Sequence, residues 1–567
     1  MKKTRLTILL WIAPLTFLAL FYFYPLGSIL GLSFSRGENG LMGPLLEAVS
    51  SASVRRVLGF TIWQAALSTV LTLVVGLPGA YLFARYDFRG KSTLRALTGL
   101  PFVMPTLVVA AGFNALLGPT GWVNSALMTL FDLPTPPISF INTFGAIIAA
   151  HVFYNTTIVL RMVGDFWSHI DPRLGQAADS LGANAWARTR HITLPLLAPV
   201  ISAAALLIFI FDFTSFGVVL VLGGPRFATL EVEIFYQTIS LFNLPLAAVL
   251  SLLQLACTLA LTMIYTRLAA NLSRPLKMRS SKGTQKKIST WRGRLISGMI
   301  IGYLLVFLTT PLLALAARSV VSLETDRTRE GELVPGPTLA FYRELSINRR
   351  ESLFYSPPTT AIAISLGYAS ATVVLALAFG LPAAWALARD RESRFNKLLD
   401  PILMLPLGTS AVTLGLGFIV ALNRPPLDLR ASPLLIPIAH TLVAFPFVVR
   451  SLVPALQSIQ PRLRGAAAIL GASPRQVTRH IDLPIVGRAL LVAATFAFTI
   501  SIGEFGASSL ISRPEYPTVP VMIYRFLSRP GALNYGQALA LSTILMAVAV
   551  GGMLAIERLR VADVGEF

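Results

Sequence analysis

Apolar residues in this 567-residue chain come in long runs separated by short polar stretches. About twelve runs are long enough to cross roughly 30 Å of hydrocarbon. They lie near residues 7–31, 58–84, 96–117, 141–163, 194–222 and 243–268, and then near 294–317, 359–388, 398–422, 432–455, 485–511 and 534–557. These runs far exceed the ~10 residues of a barrel strand, and lipid cannot satisfy open backbone groups, so the spanning elements are helices. The pattern predicts an all-α polytopic membrane protein. The first run is too long for a signal-peptide core and lacks a small-x-small cleavage site, so it is expected to be the first span.

The runs repeat. Gly76-Leu77-Pro78 matches Gly380-Leu381-Pro382, and both segments end in Arg, at Arg85 and Arg389. A second register, of 289 residues, runs without a gap from His151/His440 through Arg161/Arg450 to Phe216-Gly217 against Phe505-Gly506, and on to Pro225/Pro514 and Thr229/Thr518. Six spans per half in one orientation make a parallel repeat, related by an axis along the membrane normal, and such repeats put a pathway at their interface. The expected segments are a first helix and external loop (1–57), a first core (58–268), a basic cytoplasmic linker (269–293), a seventh helix and external loop (294–358), a second core (359–557) and a tail (558–567).

Each half carries one polar, helix-coded insert. Asp171-Pro172 starts a helix, with Asp as the cap and Pro at the first position, and Gly182 stops it; in the second copy Gly471 is the stop, and Ser473-Pro474 begins the next helix. Leu194-Pro195 and Leu483-Pro484 mark the start of the following span. A connector resting on lipid needs only an amphipathic pattern. The repeated Ala-Ala, Gly, Arg-His-Ile and Leu-Pro fit a protein-docking elbow, which needs small residues and a fixed bend.

Charge then orients the chain. Only 13% of residues are charged, against about 25% in soluble domains. The net charge of +21, from 47 Lys and Arg against 26 Asp and Glu, reads as positive-inside topology rather than nucleic-acid binding. The basic clusters fall on one side with both termini, which are expected to be cytoplasmic; the external loop from Gly118 to Thr143 has no Lys or Arg. The linker around Arg274–Lys287 is basic and suited to anionic lipid heads. Cys257 alone supports neither a disulfide nor a thiol metal site, and no histidine has a second ligand at i+3 or i+4, so no metal site is expected. Four of the five histidines pair across the repeat, as His151/His440 and His191/His480.

Two carboxylates interrupt apolar segments: Asp212 near Ser215, and Glu504 near Ser501. Ionisable groups at such positions mark a pathway or a partner by default. Glu504 aligns with Ser215, three residues from Asp212 and on the same helix face, so Asp212, Ser215, Ser501 and Glu504 are candidate lining residues. The alternative is that neighbouring helices or backbone tie these carboxylates down. Gly90-Lys91-Ser92-Thr93 imitates the end of a phosphate-binding loop, but Arg85 stands where the first glycine belongs, and no strand is expected before it.

The inserts resemble the cytoplasmic motif of permease subunits of binding-protein-dependent ABC importers: Glu-Ala-Ala, three residues, Gly, nine residues, Ile-x-Leu-Pro. Ala177, Ala178, Gly182, Ile192, Leu194 and Pro195 fill it once; Ala466, Ala467, Gly471, Ile481, Leu483 and Pro484 fill it again. Gln176 and Gly465 replace the leading Glu in both copies. The resemblance implies a type I importer (MetI-like) permease fold, two fused halves, and a coupling helix in each that docks on a nucleotide-binding ATPase, with Arg173 and Arg462 as contacts. It also implies two ATPase copies that bind ATP and Mg, an extracytoplasmic solute-binding protein, and no cofactor or enzyme activity in this chain. The expected setting is the cell membrane of a prokaryote. Leu222-Gly223-Gly224-Pro225 is most similar to fused thiamine and ferric-iron permeases, with sulfate, molybdate and polyamine importers also open. The rival class is a secondary transporter driven by an ion gradient.

Overall fold

A computed structural model describes residues 2–34, 49–224, 226–272, 285–324, 335–347, 357–389, 393–423 and 427–559. The basic linker over 273–284, the tail beyond 559, most of the two long external loops and Pro225 lie outside the described residues. Eleven described helices are long and apolar enough to cross a membrane, or twelve if one bent pair counts as a span. The long uninterrupted runs become helices Ala52–Arg85, Leu244–Leu272, Trp291–Arg318, Pro358–Arg389 and Ala532–Leu559.

Four expected spans are broken. The run near 96–117 is helices Lys91–Leu97, Leu100–Val103 and Thr106–Leu117. Pro105 forces Met104 out of the helical region, to ψ 136°. The run near 398–422 bends by 95° between Arg394–Gly408 and Ala411–Ala421. There Ser410 Oγ accepts the Val412 and Thr413 N–H groups at 3.1 and 3.4 Å and starts the new helix. The fifth span ends at Phe213, with a separate turn of helix at Gly217–Leu222; the eleventh ends at Gly503, with Gly506–Ile511 beyond it.

The chain forms two compact units, and neither is a simple half. One contains Val49–Glu233 and Ala256–Thr338; the other contains Met1–Ala48, Ile234–Leu255 and Leu339–Phe567. The first span therefore belongs with the second core. Phe17 stacks on Phe379 with ring centroids 4.4 Å apart, and Tyr22 Oη sits 2.7 Å from Thr409 Oγ1. In the other unit, helix Trp291–Arg318 joins the first core, where Trp122 Nε1 donates to the Ala314 carbonyl at 3.2 Å.

Within each unit the repeat registers are hydrogen-bonded alike. Thr61 Oγ1 accepts from Leu230 N at 3.0 Å, and its equivalent Ser365 Oγ accepts from Val519 N at 2.8 Å. Gly76 and Gly380 explain themselves in the same way. A Cβ on Gly76 would stand 2.7 Å from Val159, and one on Gly380 2.6 Å from the equivalent Val448, so only glycine lets these helices cross.

Candidate functional site

Each insert is a helix, a glycine elbow and a second short helix. In the first, Asp171 Oδ1 accepts the Arg173 N–H at 2.9 Å and caps helix Pro172–Ser180. Gly182 follows at φ +83°. Asn184 Oδ1 then accepts the Ala187 N–H at 2.8 Å, capping Ala185–Arg188. In the second, helix Pro461–Ile469 leads to Gly471 at φ +81°. Ser473 and Gln476 close a reciprocal cap: Ser473 N donates to Gln476 Oε1 at 2.7 Å, and Gln476 N donates to Ser473 Oγ at 3.4 Å. Both short helices pass through one π-helical turn, Thr189–Thr193 and Thr478–Asp482, before the spans begin at Leu194 and Leu483.

The elbows present apolar side chains that nothing in their own unit covers. Leu181 is 89% exposed and its equivalent Leu470 86%; Ile469 and Trp186 are also exposed. Arg173, Arg462, Gln176, Ala177, Gly465, Ala466, Leu194, Pro195, Leu483 and Pro484 are exposed too, whereas Ala178 is buried and Ala467, Ile192 and Ile481 are half-buried. Apolar residues clustered on polar elbows mark an interaction surface. The internal braces differ between the copies. Arg188 reaches Asp179 at 2.7 Å in the first, and Arg464 reaches Asp482 at 2.8 Å in the second; neither pair has its counterpart in the other copy.

The four candidate lining residues gather around the first histidine pair, His151 and His440. His151, 2% exposed, stands 2.8 Å from Ser215 Oγ through Nε2 and 3.2 Å from Ser68 Oγ through Nδ1. Asp212 Oδ1 lies 3.6 Å from the same Nδ1 and accepts from Asn155 Nδ2 at 2.7 Å. His440, 1% exposed, stands 2.7 Å from Ser501 Oγ and 2.8 Å from Ser508 Oγ, with Glu504 Oε2 at 3.0 Å from its Nε2. Ser501 Oγ also donates to Thr372 Oγ1 at 3.1 Å. Each cluster thus ties together the second, fourth and fifth helices of its half at the break in the fifth.

The two clusters are one design with its carboxylate moved. Position 212/501 is Asp in the first half and Ser in the second; position 215/504 is Ser and then Glu. The donors moved with the acid: Asn155, which serves Asp212, is Ala444 in the second half, and Ser508, which serves Glu504, is Val219 in the first. Glu504 also accepts the Ala507 and Ser508 N–H groups at 2.8 and 3.1 Å, capping the helix after the break. The complementary polar positions along the 289 register were the sequence signal for this hub.

The phosphate-loop look-alike forms no such loop. Contrary to expectation, a two-residue strand, Tyr86–Asp87, does precede Gly90, pairing in parallel with Lys286–Lys287. Lys91 Nζ donates to the Tyr86 carbonyl at 2.7 Å, and burial lowers this amine to about 8.

Residues 376–559 match the family model described as the binding-protein-dependent transport system inner membrane component. The chain is 27% identical over 539 residues to the thiamine transport system permease protein ThiP of Brucella abortus (strain 2308), covering 95% of this chain and 92% of that protein. It is 26% identical over 505 residues to ThiP of Escherichia coli (strain K12), covering 87% and 88%. To a probable ABC transporter permease protein, y4fN, of Sinorhizobium fredii it is 26% identical over 541 residues, covering 93% and 91%. A solved bacterial ABC transporter involved in import of the acidic polysaccharide alginate has a chain 15% identical, with a TM-score of 0.40, covering 48% of this chain and 98% of that one. Over residues 376–559 the chain thus matches an inner-membrane transport component, and over nearly its whole length it is similar to permease proteins, in keeping with its eleven described helices long and apolar enough to cross a membrane.

Proposed function

We propose that this chain forms the translocation path of an importer that takes thiamine from an extracytoplasmic binding protein and is driven by two separate ATPase subunits, one on each elbow. The cargo assignment leans on relatives of nearly full length that are named as thiamine permeases. The docking assignment is carried by one observation: in both inserts a positive-φ glycine turns exposed leucine outward, at Leu181 and Leu470. ATP closure between the two ATPases would then move the two elbows, and with them the spans beginning at Leu194 and Leu483. Both termini and both elbows lie on the cytoplasmic side in this reading. Asp212, Ser215, Ser501 and Glu504 serve the path by fixing the breaks beside it.

The test is reconstitution of the chain with its ATPase and binding protein in vesicles. Labelled thiamine should accumulate only when ATP and the binding protein are both present, and ferric iron should not replace it. Uptake that needs no ATP and collapses with an ion gradient would instead favour a secondary transporter.

A further inference from the structure

The first-half cluster leaves one acid short of partners. Asp212 is 1% exposed, and its Oδ1 accepts from Asn155. Its Oδ2 has no partner, and neither has Oε1 of the fully buried Gln64. These two orphaned acceptors belong to touching residues, because Gln64 Nε2 donates to the backbone carbonyl of Asp212 at 2.7 Å. Glu504, by contrast, uses both oxygens on N–H and hydroxyl donors.

The groups facing Asp212 supply no compensating cation. From helix Ala52–Arg85 come Gln64 and Ser68, both neutral; from helix Phe144–Ile158 come Asn155, neutral, and His151. Ser215 lies beyond the end of its own helix. Among the described residues, no Lys or Arg stands within ion-pair distance of Asp212. A carboxylate buried with so little compensation is costly enough that such groups take up a proton instead. Placing the charge on His151 does not help: Nδ1 is 3.6 Å from Oδ1, too far for a hydrogen bond, and both orphaned oxygens stay unmatched. A bare metal cation needs several free oxygen ligands, and here Oδ1 and the Asp212 carbonyl are already engaged.

We propose that Asp212 is a proton-binding site, held as the un-ionised acid with its proton on Oδ2 and Gln64 Oε1 as the acceptor. One proton satisfies both orphaned oxygens and makes the bridge between the second, fourth and fifth helices of the first half electrically neutral. The second half fixes the same break with an ionised cap. The two breaks therefore differ in kind: alkali removes the proton that joins the first and leaves the second unchanged.

Infrared spectroscopy of the complete chain in detergent tests the assignment. A carbonyl stretch of un-ionised carboxylic acid should be present in neutral buffer, vanish in Asp212→Asn, and persist in Glu504→Gln. Gln64→Leu should shift that band upward, because the acid loses its acceptor. Asp212→Asn places an amide N–H where the acid has O–H, so it should melt with the wild type in neutral buffer. It should also lack the loss of several degrees that the wild type suffers in alkaline buffer. No acid band, a band that Asp212→Asn leaves intact, or a large drop in the melting point of Asp212→Asn at neutral pH would overturn the proposal. So would a sodium-dependent rise in wild-type melting that the variant lacks, which would assign a metal cation to the same oxygens.

Discussion

Glu504→Gln isolates the second cluster with the loss of one charge and almost no change of shape. The native carboxylate has four close partners: Ala507 N–H on Oε1, and on Oε2 the Ser508 N–H, the Ser508 hydroxyl and His440 Nε2. An amide has a single acceptor oxygen. In the better orientation that oxygen replaces Oε2 and keeps three partners, which leaves the amide NH2 facing the Ala507 N–H across 2.8 Å. Stranding a buried donor costs about 1–3 kcal/mol, and each bond that loses its charged partner weakens by roughly 0.5–1 kcal/mol. With three weakened bonds and one stranded donor the sum is a destabilisation of about 2.5–6 kcal/mol, concentrated where the helix Gly506–Ile511 begins. Thermal unfolding in detergent, followed by tryptophan fluorescence, would measure the total, and hydrogen exchange at 504–511 would localise it. A melting curve that overlays the wild type, with unchanged exchange in that segment, would refute the idea that Glu504 is an ionised cap.

Three further outcomes follow from the elbows and the basic edge. Gly182→Val or Gly471→Val places a β-branched residue at φ above +80°, costing about 1–2 kcal/mol locally, and should uncouple ATP hydrolysis from uptake while leaving membrane insertion intact. Normal coupling in both variants would argue against a docking role for the bend. Leu181→Asp and Leu470→Asp should each weaken ATPase co-purification by at least about tenfold, since a desolvated anchor is worth 2 kcal/mol or more, with no change in melting. Lys91 should acylate with a midpoint near pH 8, because burial favours the neutral amine. Its native form binds fewer protons than the unfolded chain between about 8 and 10.5, so its contribution to stability rises with pH across that interval. Mass spectrometry of labelled peptides across pH reads the midpoint directly.

The repeats, the inserts and their glycine elbows were legible in the chain because they rest on local rules: proline at a helix start, glycine at a helix end, and apolar run length. The broken spans were not, because Thr214-Ser215-Phe216 and Glu504-Phe505 are flanked on both sides by apolar residues that continue the run. At each break a histidine from the fourth helix of the half supplies long-range contacts that the local sequence does not show, beside the local cap from Glu504 in the second half. Pro105 did announce its break, and the run-length rule overrode it. His151 and His440 looked like isolated histidines because their partners lie more than 60 residues away or on other helices. The placement of the first span was equally hidden. Phe17 and Tyr22 are as apolar toward one core as toward the other, and only shape decides that they meet Phe379 and Thr409.

That placement governs how the molecule can be made. Phe17 packs against Phe445, which is synthesised 428 residues later, so the first helix enters the membrane long before its resting place exists. At roughly 5–20 residues per second the interval is about 20 to 90 seconds. Throughout it the buried face of Trp11, Phe17 and Tyr22 lacks the second-core residues it packs against in the folded chain. Helix Trp291–Arg318 imposes a shorter delay on the first core, which lacks that wall until the linker has passed. Keeping both halves in one polypeptide holds the waiting helix beside its late partner, and two separately made halves would have to find that exchange by diffusion in the membrane.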